Sequence, residues 1–400
     1  MKLIYIFATR VLALYEKEFG ISYFRNKGWE IEIFDMSPII TPAAYKRIES
    51  GIYAGSDMRI FHSRNEYRKY IRTLKEGSIF ICHDFNRLNT RFLFSCLRKN
   101  HIHGFLWTGS STTIVKENTE EIVKRDLKKI VNSIYIRLPH IIQKVPPAGF
   151  IAMSLGEEHE RLKDLAYKNK NTIVKYVQGN DFEQYLQVKN KDERLISEKY
   201  CVFIDEYMGY HPDMEDINVS YTQEDIKLYY TEIKKFFHHV ENYMGLKVVI
   251  ALHPRADFSR HPECYEGFTA IRFKTAELIK YSEFVMTHYS EALSYVILFH
   301  KPCISIEPTM IKKTHYMSYH MKLMQKQFHL QTIDISNEEY RHLRLQDYLK
   351  VDNSFWDECI RKYYYKDYIN ENTIVKSLWE QVEECINNAV KIKFNIEDVM

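Results

Sequence analysis

Apolar residues near the N-terminus come in short runs separated by stretches of helical spacing. Leu3 to Ala8 is an apolar run of strand length. Val11 to Asn26 repeats apolar residues every three or four positions and meets Gly28 where a helix should stop; Glu30 to Phe34 then alternates polar and apolar. Strand, helix and strand within about 35 residues predict a βαβ crossover, and with it a parallel sheet. The rhythm continues with helices over 65–75 and 90–99 and strands over 78–82 and 104–107. A long basic amphipathic helix follows from Glu117, which Pro139 should end or kink, then a strand over 149–153 and a helix over 157–169.

From 187 to 199 the chain turns polar without periodicity, and a domain boundary is expected there. A second alternation then begins with a strand over 201–205, a helix over 222–244 and a strongly apolar strand over 246–252. A strand over 269–273, a helix over 275–281, a strand over 284–287, a helix over 290–299 and a strand over 303–306 follow. The tail from Asn337 reads as helical and aromatic. The expected fold is α/β, with two Rossmann-like parallel-sheet domains, 1–190 and 200–335, facing a cleft, and a helical segment 336–400 crossing back over both. In such sheets ligands sit at the carboxyl ends of the strands.

Composition narrows the function classes. The chain has 400 residues, 45% hydrophobic and 27% charged, which is the balance of a globular protein rather than a disordered or fibrous one. Lys and Arg number 56 against 53 Asp and Glu, so the basic excess of a general nucleic-acid binder is missing. No run approaches the roughly 18 apolar residues of a membrane span. The opening apolar run breaks at Arg10 and lacks a signal peptide's h-region, so a cytoplasmic location is expected. The 7 cysteines (82, 96, 201, 264, 303, 359 and 385) show no CxxC and no pairing rhythm, and read as reduced core thiols. The 30 Tyr and 23 Phe beside only 13 Gly read as an AT-rich coding bias rather than a base-stacking surface.

Neither GxGxxG nor GxxxxGK[ST] is present, so a dehydrogenase or P-loop reading has no support. No HExxH or Cys/His cluster appears, and His238 and His239, adjacent on a helix, point about 100° apart and cannot chelate one ion well. The informative segment is VVIALHPRADF, 248–258, where an apolar strand ends in His-Pro-Arg. His253 offers a ring N–H, Arg255 a guanidinium fork, and Pro254 a fixed φ: a phosphate clamp, or simply a loop histidine beside a surface arginine. In FVMTHYSEALSYVILFHKPCISI, 284–306, Thr287, His288 and Ser290 fall at a strand-to-helix turn, with Glu291 in the first turn of the helix. Hydroxyls and free N–H groups there form an anion site, and a helix cap can serve the same anion. Asp205 and Glu206 end a third apolar strand; a carboxylate there suits a general base, a ribose contact or a loop cap.

This order of an acidic pair, a His-Pro strand end and a strand-turn-Ser helix followed by Lys-Pro resembles the C-terminal domain of GT-B glycosyltransferases. It is most similar to the bacterial sialyltransferase-like and capsular-polysaccharide groups, over roughly 200–308. The resemblance implies that the acidic motif falls on Asp205 and Glu206, the His-Pro motif on His253 and Pro254, and the serine motif on Ser290. It implies that the His-Pro and Ser residues hold the nucleotide of a CMP-activated sugar while a carboxylate acts as base. Tyr207 and Met208 intervene before Gly209, where the family's acidic motif closes on Gly at once, and Tyr289 stands where a second hydroxyl residue is usual.

The N-terminal domain should hold the acceptor, with Thr9-Arg10, His83-Asp84 and 108–111 at strand ends. Asp84 with His83 is an alternative base to Asp205, and the sequence leaves both open. The basic segment 124–144 suits either a solvated helix or contact with anionic lipid. The implied activity is an inverting, metal-independent transfer of a sialic- or Kdo-type sugar onto a bacterial surface glycan or its lipid-linked precursor, with the nucleotide sugar as substrate and no further cofactor. The rivals are a UDP-sugar or glycerophosphate transferase of the same fold, a nucleotide-sugar epimerase, and a non-catalytic sugar-nucleotide-binding module.

Overall fold

The computed structural model describes residues 2–47, 51–75, 77–83, 90–108, 149–153, 156, 173–211, 219–370 and 372–397. The helices expected from Glu117 and over 157–169, the basic segment 124–144, and Asp84 lie outside these residues. The chain forms two units: the first runs to Asn180 and resumes at Thr373, and the second holds Asp181–Asn372. The border precedes the polar stretch 187–199, and a helix, Asn180–Lys189, occupies the junction. Among the described residues, no helix is long and apolar enough to cross a membrane.

The first unit is built on a parallel sheet of β1 (Lys2–Phe7), β2 (Glu30–Asp35), β3 (Met58–Ile60), β4 (Ile79–Cys82), β5 (His103–Thr108), β6 (Gly149–Met153) and β7 (Val174–Val177). Their order is β3-β2-β1-β4-β5-β6-β7. The second unit carries β8 (Tyr200–Ile204), β9 (Lys247–Leu252), β10 (Thr269–Arg272), β11 (Val285–Thr287), β12 (Cys303–Glu307) and β13 (Gln331–Asp334). Their order is β10-β9-β8-β11-β12-β13, again all parallel. Both are Rossmann-like α/β sheets, as the alternation predicts. In each, the chain winds outward from its first strand and then jumps back to that strand's other side. Loops therefore diverge at the carboxyl ends of β1 and β4, and of β8 and β11, which opens a crevice at each switch point.

The strands are apolar because helices cover both faces. All of β8 is buried, which leaves no solvent face for alternation. The long helix Gln223–Met244 starts at a reciprocal capping box between Thr222 and Asp225 and ends at Gly245 in the left-handed region. It buries Ile226, Tyr229, Tyr230, Ile233, Phe236, Phe237 and Val240, the helical periodicity read from the sequence.

The strands β3, β7 and β13 lie outside the expected set; most of their residues are exposed or half-buried, so the sequence carries no apolar run there. The expected helix over 11–26 is instead two, Tyr15–Glu18 and Ile21–Asn26, broken at Gly20 with φ +65°. The break has a tertiary cause. A Cβ at Gly20 would stand 2.3 Å from the ring of Trp379. Trp379 belongs to the C-terminal helix Leu378–Glu397, which returns to the first unit and joins Leu378, Val382 and Ile386 to the core over β1. Two further bonds dock this helix, because Glu383 accepts from Tyr23 Oη at 2.8 Å and from Trp29 Nε1 at 3.3 Å. The expected helix over 290–299 is regular only at Leu293–Leu298, its first residues forming a hydroxyl-capped turn.

Gly20→Ala combines a left-handed backbone with overlap on an indole ring. It should lower unfolding stability by about 2–4 kcal/mol in chemical denaturation, the scale of strained overpacking. Gly28→Ala shares the positive φ but meets nothing within 4 Å, and should cost about 1 kcal/mol.

Candidate functional site

At the switch point of the second unit two consecutive carboxylates point to different loops. Asp205 and Glu206 end β8, and both are buried. Asp205 Oδ1 accepts the Tyr207 backbone N–H at 2.9 Å and the Tyr265 hydroxyl at 2.7 Å, while Oδ2 accepts the His253 backbone N–H at 3.0 Å. One carboxylate thus fixes its own loop, the loop after β9 and the 3-10 turn Pro262–Tyr265. Glu206 Oε1 accepts the backbone N–H groups of His288 at 3.2 Å and Tyr289 at 2.9 Å, which sets the turn after β11. Glu206 Oε2 is buried with no hydrogen-bond partner among the described residues.

Burial dominates the electrostatics of the pair. Loss of hydration raises the Asp205 carboxyl, partly offset by its hydrogen bonds to His253, Tyr265 and Tyr207. Glu206 is pushed up to about 8, first by burial and further by the Asp205 charge, against the pull of the Tyr289 and His288 N–H groups. Tyr207, directly after them, is held at φ +51°, an uncommon state for a tyrosine. Gly209, two residues on, is also left-handed at φ +84°.

His253 stands after β9 with its ring half-buried. Its Nδ1 accepts the Arg255 backbone N–H at 3.1 Å. That bond places the ring proton on Nε2 and makes it a donor. Burial, with the nearby His211 and Arg255, pushes His253 down to about 3, so the ring is neutral. Pro254 and Arg255 are exposed on the same turn. His211 meets the His253 ring edge-on, 4.7 Å between centroids.

His288 behaves differently. It is fully buried, with Nδ1 donating to the Ile306 carbonyl at 2.7 Å and Nε2 bonded to the Tyr229 hydroxyl at 2.9 Å. Both nitrogens are used inside the core, so this ring offers nothing to a ligand, contrary to the expected nucleotide contact. Thr287 is buried as well, its hydroxyl taking the Ser290 N–H at 3.4 Å. Ser290, half-buried, takes the Ala292 N–H at 3.3 Å, and Glu291 is exposed beside it. Accessible at these strand ends are Arg255, which is exposed, and His253 and Ser290, which are half-buried, on the turns after β9 and β11 that flank β8. Asp205, Glu206, Thr287 and His288 form the framework beneath them.

Asp205 was expected as a base. Its two oxygens already accept three donors and its exposure is 1%, so it is placed to hold loops rather than to take a proton from a substrate hydroxyl.

Phe273 went unnoticed in the sequence. It ends β10 at φ +64°, 57% exposed, with the Arg272 guanidinium 4.9 Å above its ring. Arg272 Nη1 donates to the Ala256 carbonyl at 2.8 Å, joining this aromatic to the His253 turn. A large apolar side chain held outward on left-handed backbone is the available signal, and it exists only in three dimensions.

In the first unit, His83 follows β4 and packs on Phe7 (5.0 Å), Phe19 (3.9 Å) and Trp107 (5.1 Å). Its Nε2 is buried without a partner among the described residues, and burial pushes it down to about 3. A neutral ring of such low basicity is a poor proton acceptor near neutral pH.

No protein-family model and no curated protein matches this chain. Solved structures similar to it include the UDP-GlcNAc 2-epimerase of Methanocaldococcus jannaschii with UDP-GlcNAc and UDP (11% identity, 90% of this chain and 98% of that one, TM-score 0.42). Others are MurG of Acinetobacter baumannii (7%, 91% and 95%, 0.41) and the glycosyltransferase SnogD of Streptomyces nogalater (9%, 90% and 93%, 0.42). At this level of similarity the functional reading rests on the residues of the site.

Because Glu206 holds its proton in the fold up to about 8 and releases it at an ordinary 4.5 when unfolded, the folded state binds the extra proton between these values. Its contribution is present below pH 4.5 and is lost as pH rises toward 8. Asp181, raised to about 7 by burial, acts in the same direction. Urea denaturation from pH 5 to 8.5 should show stability falling in the wild type and a shallower fall in Glu206→Gln.

Proposed function

We propose that this chain is a glycosyltransferase that takes its sugar from a nucleotide donor held at the β8–β11 crevice of the second unit. The observation that carries the reading is the pair Asp205–Glu206. Its two side chains lock the loops after β9 and β11, which carry His253, Arg255 and Ser290, at the strand ends where ligands of such sheets bind. In this reading His253 donates from Nε2 to a donor phosphate oxygen, Arg255 supplies the positive charge, and the Ser290 turn adds a hydroxyl and free N–H groups. These groups offset the charge that grows on the departing nucleotide, so the transfer runs without a metal ion. Phe273 is assigned to the nucleobase, as a stacking face.

Transfer is a single inverting displacement at the anomeric carbon. The acceptor oxygen forms the new bond, the nucleotide phosphate leaves, and the acceptor proton passes to a carboxylate. We assign that base to Asp84, because Asp205 is committed to three internal donors. The donor is read as a CMP-activated sialic- or Kdo-type sugar. The acceptor is read as a bacterial surface glycan or its lipid-linked precursor at the cytoplasmic membrane face, with 124–144 as the membrane contact.

Thermal shift against CMP, CDP, UDP and GDP tests this directly. A ligand at 100 times its Kd adds about 2.7 kcal/mol. Stabilisation by CMP, lost in His253→Ala, is the expected result, with turnover in that variant falling roughly hundred- to thousand-fold. A response to UDP or CDP alone discards the CMP donor and keeps the transferase. Turnover of a sugar nucleotide with no acceptor present would make the protein an epimerase, and silence toward all four nucleotides would overturn the enzyme reading.

A further inference from the structure

The turn after β11 carries a tyrosine that ties it to a second aromatic face within the same unit. Tyr289 lies between His288 and Ser290, half-buried, with its backbone N–H held by Glu206. Its hydroxyl donates to the thioether of Met317, which is buried on the first turn of the helix His315–Gln327. Two more contacts hold the start of this helix beside the capped start of Gln223–Met244. Tyr221 Oη and Thr314 Oγ1 share a hydrogen bond at 2.9 Å, and Lys313 pairs with Asp225. Tyr316 sits on the helix turn so fixed and is 42% exposed. His320, one turn on, packs against its ring with 4.3 Å between centroids. Tyr316 also stands close to Tyr289: after burial and the Glu206 charge, Tyr221 and Tyr316 push the Tyr289 hydroxyl further up.

An exposed tyrosine means little by itself. This one is propped by His320 and adjoins the Ser290 turn, so little side-chain freedom is left to lose when a ligand lies on it. The strand order then says which part of a donor would reach it. With the base on Phe273 after β10 and the phosphate between His253 after β9 and Ser290 after β11, the donor crosses the sheet in the order β10-β9-β8-β11. That is a span of roughly 14 Å at the usual strand spacing. The group beyond the phosphate is the sugar, and the exposed ring on that side of the Ser290 turn is Tyr316. A pyranose has a face of C–H bonds and an edge of hydroxyls. A tyrosine has an apolar face and a polar edge, so the two stack with their polar groups outward.

We infer that Tyr316, propped by His320 beside the β11 turn, is the stacking face for the sugar of the nucleotide donor, and so the residue by which the site tells a nucleotide sugar from the bare nucleotide. This rests on the transferase reading above and assigns the sugar end of its donor.

Titration calorimetry on the full chain decides it, with two pairs of probes: CMP and CMP-N-acetylneuraminic acid, and UDP and UDP-N-acetylglucosamine. For the pair that the wild type binds, Tyr316→Ala should weaken the nucleotide sugar at least fivefold and change the bare nucleotide less than twofold, because only the sugar loses its face. Tyr316→Phe keeps the ring and should bind the nucleotide sugar within twofold of the wild type. The bare nucleotide also controls for a disturbed helix, which would weaken both ligands alike. Tyr316→Gln, which suits a helix, gives the same reading should the alanine variant not fold. Equal weakening of both ligands, no change in either, or Tyr316→Phe as weak as Tyr316→Ala would overturn the inference and leave the transferase reading in place, since the nucleotide still binds. A wild type that binds neither pair overturns the transferase reading, and this inference with it.

Discussion

The buried carboxylate of Asp205 is the constraint on which the second unit's site depends. A carboxylate so far from water is costly unless every lone pair in use meets a donor. Asp205 meets three, from the loop after β8, the loop after β9 and Tyr265. Those donors belong to segments far apart in sequence, so satisfying one charge fixes the relative placement of all three. Glu206 does the same for the turn after β11 through two backbone N–H groups. The accessible groups on these loops are therefore held by groups that are buried.

The histidines of these strand ends show how the same residue type is given different work by its partners. His288 spends both nitrogens on Ile306 and Tyr229 and is a core residue. His253 spends only Nδ1, on the Arg255 N–H, which fixes its tautomer and leaves Nε2–H to donate. His83 has a buried Nε2 with no partner among the described residues. Burial keeps all three neutral, lowering each well below the ordinary imidazole value, so any anion near His253 is met by a hydrogen-bond donor rather than an imidazolium charge.

Left-handed backbone at non-glycine residues occurs before strands, at His101, His300 and His329, and also at two carboxyl strand ends. Tyr207 after β8 and Phe273 after β10 occupy left-handed conformations that favour glycine. The loop hydrogen bonds around Asp205 hold the first, and the Arg272 bond to Ala256 sits beside the second. In the first unit the comparable tension is relieved by composition instead. Gly20 takes the left-handed position where the Trp379 ring leaves no room for a Cβ.

The sequence by itself determined the fold class and the places where chemistry is concentrated. Apolar runs such as 248–252 and the long helical period over 223–244 are local signals, because burial on both faces of a sheet or on one face of a helix writes itself into consecutive residues. The ends of β8, β9 and β11 were legible for the same reason: polar residues break those runs abruptly. The strands β3 and β13 were not, since most of their residues are exposed or half-buried and write no apolar run into the sequence. Only the tertiary structure decided which of the strand-end residues stay accessible. His288 and Ser290 are two residues apart and look equally suited, yet one is bonded on both nitrogens in the core while the other sits half-exposed at the turn. Partners 60 and 59 residues distant make that choice, as with Tyr265 for Asp205 and Tyr229 for His288. The break at Gly20 is likewise set by a tryptophan at the far end of the chain. Hydrogen-bond satisfaction and steric contact between remote segments are properties of the folded chain, and no window of sequence contains both partners.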